Sequence, residues 1–315
     1  MDRGNQTMVT EFILLGLSAQ PETQVILFVI FLIVYMITLV GNILILTVVI
    51  IDHHLHTPMY FFLCNLAFLD ICYSSMNVPN MIINFLSEKK TISFSACVAQ
   101  MYISLSLGET ECILLAVMAY DRYVAICNPL RYTVIMNRSI CIKIAVITWI
   151  SGFFLAVVHI AFTFQLPFCG HNQLNHFLCE VPAMLRLACA DTTINEIVIF
   201  VVGVIILMTP VSFILVSYIH VIRAILKISS ADGRQKTFST CASHLTAVTL
   251  FFGSAMFMYM RPRSSFTAEV DKRATVFYVV IIPMLNPLIY TLRNKEVKGV
   301  VKQGMGKNPF STILG

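Results

Sequence analysis

Three acids stand inside apolar stretches of this chain: Asp70, Glu109 and Glu111. An ionisable side chain is costly in such surroundings, and the usual reason for keeping one is function. Glu111 lies eleven residues before Arg122, about 16 Å along a helix, and Asp70 lies twelve residues after Pro58, about 18 Å. The spacing predicts that the two acids reach similar depth on neighbouring helices. Two adjacent carboxylates cannot both stay ionised without a cation or a shared proton, so a small cation such as sodium is a reasonable guest. Catalysis by a carboxylate pair is the rival chemistry, but neither a nucleophile nor a set of metal ligands accompanies it. Glu109 is about 200° around the helix from Glu111. It is expected to face the fifth and sixth helices, on one face with Leu105 and Cys112, lining a cavity nearer the outer side.

A fourth feature is "MAYDRYVAIC" at 118–127, where Asp121 and Arg122 sit side by side at the end of an apolar run. At a membrane boundary their heads can reach water, and at rest they are expected to pair with each other. Two clusters carry metal-ligating side chains. His176, Cys179 and Glu180 fall within five residues, and His53, His54 and His56 sit in one short segment. The first is metal-like in type, but a disulfide at Cys179 removes its thiolate. The second reads as a solvated turn.

The elements that must position these groups follow from hydropathy. The chain has 315 residues, 58% hydrophobic and only 12% charged, about half the charge of a soluble domain. The apolar residues come in blocks near 24–51, 58–82, 97–121, 141–164, 195–222, 237–260 and 274–292. Each is long enough to cross a bilayer as a helix. The pattern lacks the short alternating strands of a membrane barrel. The fold expected is therefore an all-α membrane protein: a seven-transmembrane helix bundle over 24–292, a short outer tail at 1–23, and a cytoplasmic tail at 293–315 holding a short amphipathic helix on the inner surface. Pro210, Pro283 and Pro287 free backbone carbonyls and permit kinks.

With the N-terminus outside, the inner segments hold most of the 21 Lys and Arg residues, as the positive-inside rule asks. The net charge of +5 then lies against anionic lipid heads and does not imply nucleic acid. Asn5-Gln6-Thr7 is a glycosylation sequon in the outer tail. No cleavable signal peptide is evident, so the first helix is expected to serve as its own signal. Of ten cysteines, Cys97, Cys169, Cys179 and Cys189 fall on the outer side. Four cysteines in an oxidising compartment form two disulfides with three pairings open. A bond from Cys97 to the segment 165–194 would fold that loop over the bundle as a lid.

"LHTPMYFFL" (55–63), "MAYDRYVAIC" (118–127), "SY" (217–218), "KTFSTCASHL" (236–245) and "PMLNPLIYTLRN" (283–294) occur in order at expected helix ends. Together they make the chain resemble an odorant receptor of the tetrapod-type class, within the rhodopsin-like G-protein-coupled receptors. The resemblance covers nearly the whole chain. It implies Cys97–Cys179 and Cys169–Cys189 disulfides, and a sodium site at Asp70 and Glu111. It implies a volatile-odorant cavity lined by Ser104, Leu105, Gly108, Glu109, Cys112, Val202, Ile206, Phe252, Ala255 and Tyr259. Coupling and switching fall to Asp121, Arg122, Tyr123, Tyr218, Lys236, Asn286, Pro287 and Tyr290. The implied output is a stimulatory olfactory G protein, then cyclic AMP, from a multi-pass plasma-membrane protein that is not an enzyme and needs no cofactor beyond the sodium ion. One departure stands out: Phe251-Phe252-Gly253 replaces the Phe-Tyr-Gly common in that family, removing a hydroxyl at 252. The alternative from a different class is an ion-coupled transporter or channel using Asp70, Glu109 and Glu111, though the internal repeats common in transporters are not evident. A membrane enzyme has only the weak histidine and acid clusters in its favour.

Overall fold

The computed structural model describes residues 9–87, 89–169, 171–261 and 267–293. Seven membrane-length helices span Pro21–Ile51, Pro58–Leu86, Phe94–Cys127, Arg138–Phe164, Thr193–Leu226, Ala231–Tyr259 and Ala268–Thr291. They are called the first to seventh here. Their starts are legible in local chemistry. Pro21 and Pro58 occupy first-turn positions, where a missing N–H costs nothing. Ser93, Asn137 and Ser230 cap the third, fourth and sixth helices, their side-chain oxygens accepting from the amides of Ala96, Ile140 and Gly233. These caps place several helix starts a few residues earlier than the hydropathy blocks do, because cap and first turn are polar.

The second and third helices bury over half of their apolar windows inside the protein, whereas the first, fourth and fifth bury 22%, 28% and 17%. The latter three are the lipid-facing walls. The fourth shows how sidedness is written: Cys141, Ala145, Thr148, Gly152, Ala156, His159 and Thr163 are buried, while Ile147 and Phe154 on the opposite side are 63% and 73% exposed. Hydrophobicity does not drive helices together in lipid, so small residues that admit close backbones do the work. At Gly152 a Cβ would lie 2.1 Å from Thr110 Oγ1 and 2.7 Å from the Thr110 amide nitrogen. At Gly41 it would meet the Pro287 ring at 2.9 Å.

The prolines also act locally. Pro287 has no N–H for the carbonyl of Pro283, and Asn42 of the first helix donates its Nδ2 to that oxygen at 3.2 Å. Just before Pro283 the seventh helix widens into a π-turn at Phe277–Ile281. Pro79, inside the second helix, is a further interruption that hydropathy alone does not reveal.

The N-terminal tail is more ordered than its polar composition suggests. Glu11–Leu14 forms a strand, β1, antiparallel to β2 (Thr91–Ser93) and parallel to β3 (Gln173–Leu174). Strand pairing was missed in the sequence because each strand is very short and its partners lie far along the chain. Tail, second-to-third connection and fourth-to-fifth loop thus share the N-terminal face, as odd and even crossings require.

Candidate ligand cavity and switch column

The Cys97–Cys179 disulfide ties the third helix to the fourth-to-fifth loop, with Cα atoms 5.5 Å apart, and Cys169–Cys189 closes the loop upon itself. The amide of Cys179 also donates to Gln100 Oε1 at 3.1 Å. The loop therefore lies over the bundle, and beneath it opens a cavity of about 100 Å³. Its walls include Ser104, Leu105, Gly108, Glu109 and Cys112 from the third helix, Ile206 and Leu207 from the fifth, Phe251, Ala255 and Tyr259 from the sixth, and Leu178 to Val181 from the loop.

Two expected wall residues stand elsewhere. Phe252 is buried at 3% exposure in the core cluster, and its neighbour Phe251 reaches the cavity instead. Consecutive residues point about 100° apart on a helix, so with Phe251 turned to the cavity Phe252 points into the core. The missing hydroxyl at 252 thus falls in the packed core. Val202 is one turn from Ile206 and half-buried; the fifth helix meets the cavity only lower down, at Ile206 and Leu207.

Glu109 does line the cavity, but its partner is not on the fifth or sixth helix. His159 of the fourth helix places Nδ1 3.1 Å from Glu109 Oε1. The close backbone approach at Gly152 brings the fourth helix within reach. The contact is near in distance yet poorly aligned, since neither Glu109 oxygen nor His159 Nδ1 has a hydrogen-bond partner. His159 was overlooked in the sequence, although it is the one imidazole on the otherwise small-residue buried stripe of the fourth helix.

Glu180 holds the lid to the seventh helix. Its carboxylate accepts from Thr275 Oγ1 at 3.0 Å and from the Tyr278 hydroxyl. Burial pushes its pKa up to about 7, against the pull of those two hydrogen bonds. His176 lies 3.7 Å away, and burial lowers its pKa to about 4. The metal arrangement considered for His176, Cys179 and Glu180 does not form, because Cys179 is in the disulfide. Among the described residues no group of three ligating side chains is brought together, and that includes the turn at His53, His54 and His56. Beside this lid, Asp271 pairs with Arg186 and Arg261.

Deeper in the bundle, Asn286 Nδ2 donates to both oxygens of Asp70 at 3.2 and 3.1 Å. Glu111 interacts with Asp70 and with Asn286. Both acids are buried, at 1% and 4% exposure. The two carboxylates are hard oxygen donors and fit a small hard cation better than a soft metal.

At the opposite face Asp121 and Arg122 do not form the ion pair expected of them. No carboxylate–guanidinium contact within 4 Å joins them among the described residues; Asp121 Oδ1 instead accepts from the Tyr132 hydroxyl at 2.8 Å. Arg122 points inward against Met59 and shares a small recess with Tyr60, Thr240, Ser243 and Tyr290. Consecutive helical residues diverge by about 100°, which separates the heads. Tyr218 hydrogen-bonds His244 Nδ1 at 2.8 Å, and His244 Nε2 lies 3.1 Å from the Leu115 carbonyl. The latter contact crosses from the sixth helix to the third. The Tyr290 hydroxyl is buried without a partner. Tyr123 faces away from this recess, its ring 5.9 Å from that of His220. Lys236 lies on the sixth helix, its side chain outside the described set. Asn5 and the tail from 294 onward, where the amphipathic helix is expected, lie outside the described residues.

A bundle of seven spans, with a loop pinned over an enclosed cavity and a polar column below it, has the architecture of a rhodopsin-type receptor. Squid rhodopsin superposes with a TM-score of 0.65 at 18% identity, covering 91% of this chain and 87% of that one. The olfactory receptor family profile matches residues 31–307. Mouse olfactory receptor 5AR1 is 48% identical across 98% of this chain and all of its own length. Human olfactory receptor 2F1 is 52% identical over 95% of this chain and 94% of its own, and the dog olfactory receptor-like protein OLF3 is 51% identical over 98% and 97%. The chain belongs to the olfactory receptor family, a family of multi-pass membrane receptors.

Proposed function

We propose that this receptor binds small volatile molecules in the cavity beneath the Cys97–Cys179 loop and activates a stimulatory olfactory G protein, raising cyclic AMP. The observation that carries the reading is that enclosed, largely apolar cavity, set above an unpaired inward-facing Arg122 in a chain of this family. The mechanism is population shift: a ligand that binds the active bundle better moves the equilibrium toward it. Ser104, Leu105, Gly108, Glu109, Cys112, Ile206, Ala255 and Tyr259 contact ligand, joined by Phe251 and His159. On activation Arg122 leaves its recess toward the G protein. Tyr218 and Tyr290 rearrange around it, Tyr123 and Lys236 meet the G protein, and Asn286 and Pro287 relay the change along the seventh helix.

Sodium bound at Asp70 and Glu111 would supply the positive charge that two buried carboxylates lack and hold the resting bundle. Two disulfides on the N-terminal face support an oxidising exterior there, hence a plasma-membrane protein with an extracellular tail, glycosylated at Asn5. Residues 1–23 then form that tail, 24–292 the transmembrane domain and 293–315 the cytoplasmic segment.

The test is a cyclic AMP assay in cells expressing the receptor with the olfactory G protein, using a broad volatile panel and confirmed surface expression. Concentration-dependent signals to some members are expected. Silence across the panel from a receptor at the surface overturns the reading.

A further inference from the structure

The cavity is not electrostatically neutral ground. Glu109, Glu111 and Glu180 contribute to its walls, and no lysine or arginine is among its described lining residues. The three acids differ in how they are satisfied. Glu180 accepts from Thr275 and Tyr278, and Glu111 is engaged with Asn286. Glu109 has neither kind of help. It is 5% exposed, His159 is 7% exposed, and Glu109 Oε1, Glu109 Oε2 and His159 Nδ1 lack hydrogen-bond partners. A buried acceptor left unmade is expensive, so a ligand that satisfies all three atoms gains what the empty site forgoes.

We propose that the cavity is selective for small primary amines, the ammonium seated between Glu109 and His159. The proposal rests on the cavity being the ligand site. A primary ammonium carries three N–H donors and no acceptor. It can meet both carboxylate oxygens and, when the imidazole keeps its proton on Nε2, the Nδ1 lone pair as well. An alcohol brings one donor and an aldehyde none. A carboxylate brings like charge against Glu109 and finds no basic side chain other than His159. The amine's hydrocarbon tail then lies along Leu105, Cys112, Ile206 and Ala255, where the wall is apolar.

The experiment compares chain-length-matched amines, alcohols, aldehydes and carboxylic acids, hexylamine and its counterparts among them, on the full-length receptor by cyclic AMP, with surface expression measured in parallel. Amines are expected to be the most potent class and the acids inactive. Glu109→Gln should lower amine potency roughly ten- to a hundred-fold, the value of a charge-assisted hydrogen bond, with surface expression kept. Glu109→Asp, which keeps the charge, should retain the amine preference and separates lost charge from lost folding. Responses to neutral volatiles with none to amines would overturn the amine assignment alone. So would equal amine potency in Glu109→Gln. Silence toward every class from a surface-expressed receptor would overturn it together with the cavity reading.

Discussion

The two ends of the bundle handle buried polarity in opposite ways. Beneath the loop, Glu109 and His159 approach to 3.1 Å without an aligned hydrogen bond, so buried polar atoms are left unmatched. Toward the other face, Tyr218, His244 and the Leu115 carbonyl form a continuous chain across three helices, with the Arg122 Nε and Tyr290 hydroxyl unmatched beside it. The first end is built to receive something. The second is built to hold one arrangement until another becomes better. The difference is physical: an unmatched polar wall stores affinity for a ligand, whereas a matched chain stores a conformation.

The largest expected effect comes from breaking what both ends share. Gly152→Val would put side-chain atoms into the Thr110 backbone, separating the third and fourth helices. Surface expression should fall to background in flow cytometry, with Gly152→Ala intermediate; normal expression of Gly152→Val would mean the helices can part freely. Next, Arg122→Ala should abolish the cyclic AMP response while ligand still binds, measured by radioligand or thermal-shift binding. A retained signal would place the switch elsewhere.

A smaller effect sharpens the outer end. Glu180 titrates near 7 when folded, above the carboxylate's ordinary 4.5. The folded form therefore holds the extra proton in that window, and the group favours the closed lid less as pH rises from about 4.5 to about 7. His176 titrates near 4, below its ordinary 6.5. It binds fewer protons when folded, so its contribution grows as pH rises from about 4 to about 6.5. The two oppose each other over most of this range. Glu180→Gln should unmask the histidine, giving a lid that tightens with rising pH in hydrogen exchange of residues 173–181. A pH profile identical to wild type would show that Glu180 is not linked to the lid. The smallest effect belongs to the inner end, where Asn137→Ala removes the cap of the fourth helix. It should cost about 1 kcal/mol, read as a lowered melting temperature in detergent with signalling intact; an unchanged melting temperature would show that the cap adds nothing there.

Much of the fold was legible in the sequence because hydropathy and helix caps are local. The second and third helices ran further than their apolar blocks because their ends are polar but capped or paired. The three-stranded sheet was invisible, since two- to four-residue strands carry no period of their own. Within the cavity, Leu105, Glu109 and Cys112 could be assigned to one face by spacing. Phe251 against Phe252 could not, because the rotation of the sixth helix decides between them.

The sequence by itself determined that seven apolar segments cross a membrane, which acids and bases lie within or beside them, and which family phrases sit at their ends. Those are properties of neighbours along the chain. Only the tertiary structure decided that Glu109 meets His159, that Asp121 turns to Tyr132 rather than Arg122, and that Asn42 answers the carbonyl freed by Pro287. Each of these depends on how closely two helices approach and at what rotation. That is set where Gly41 and Gly152 let one backbone or ring come against another, and no local pattern records it.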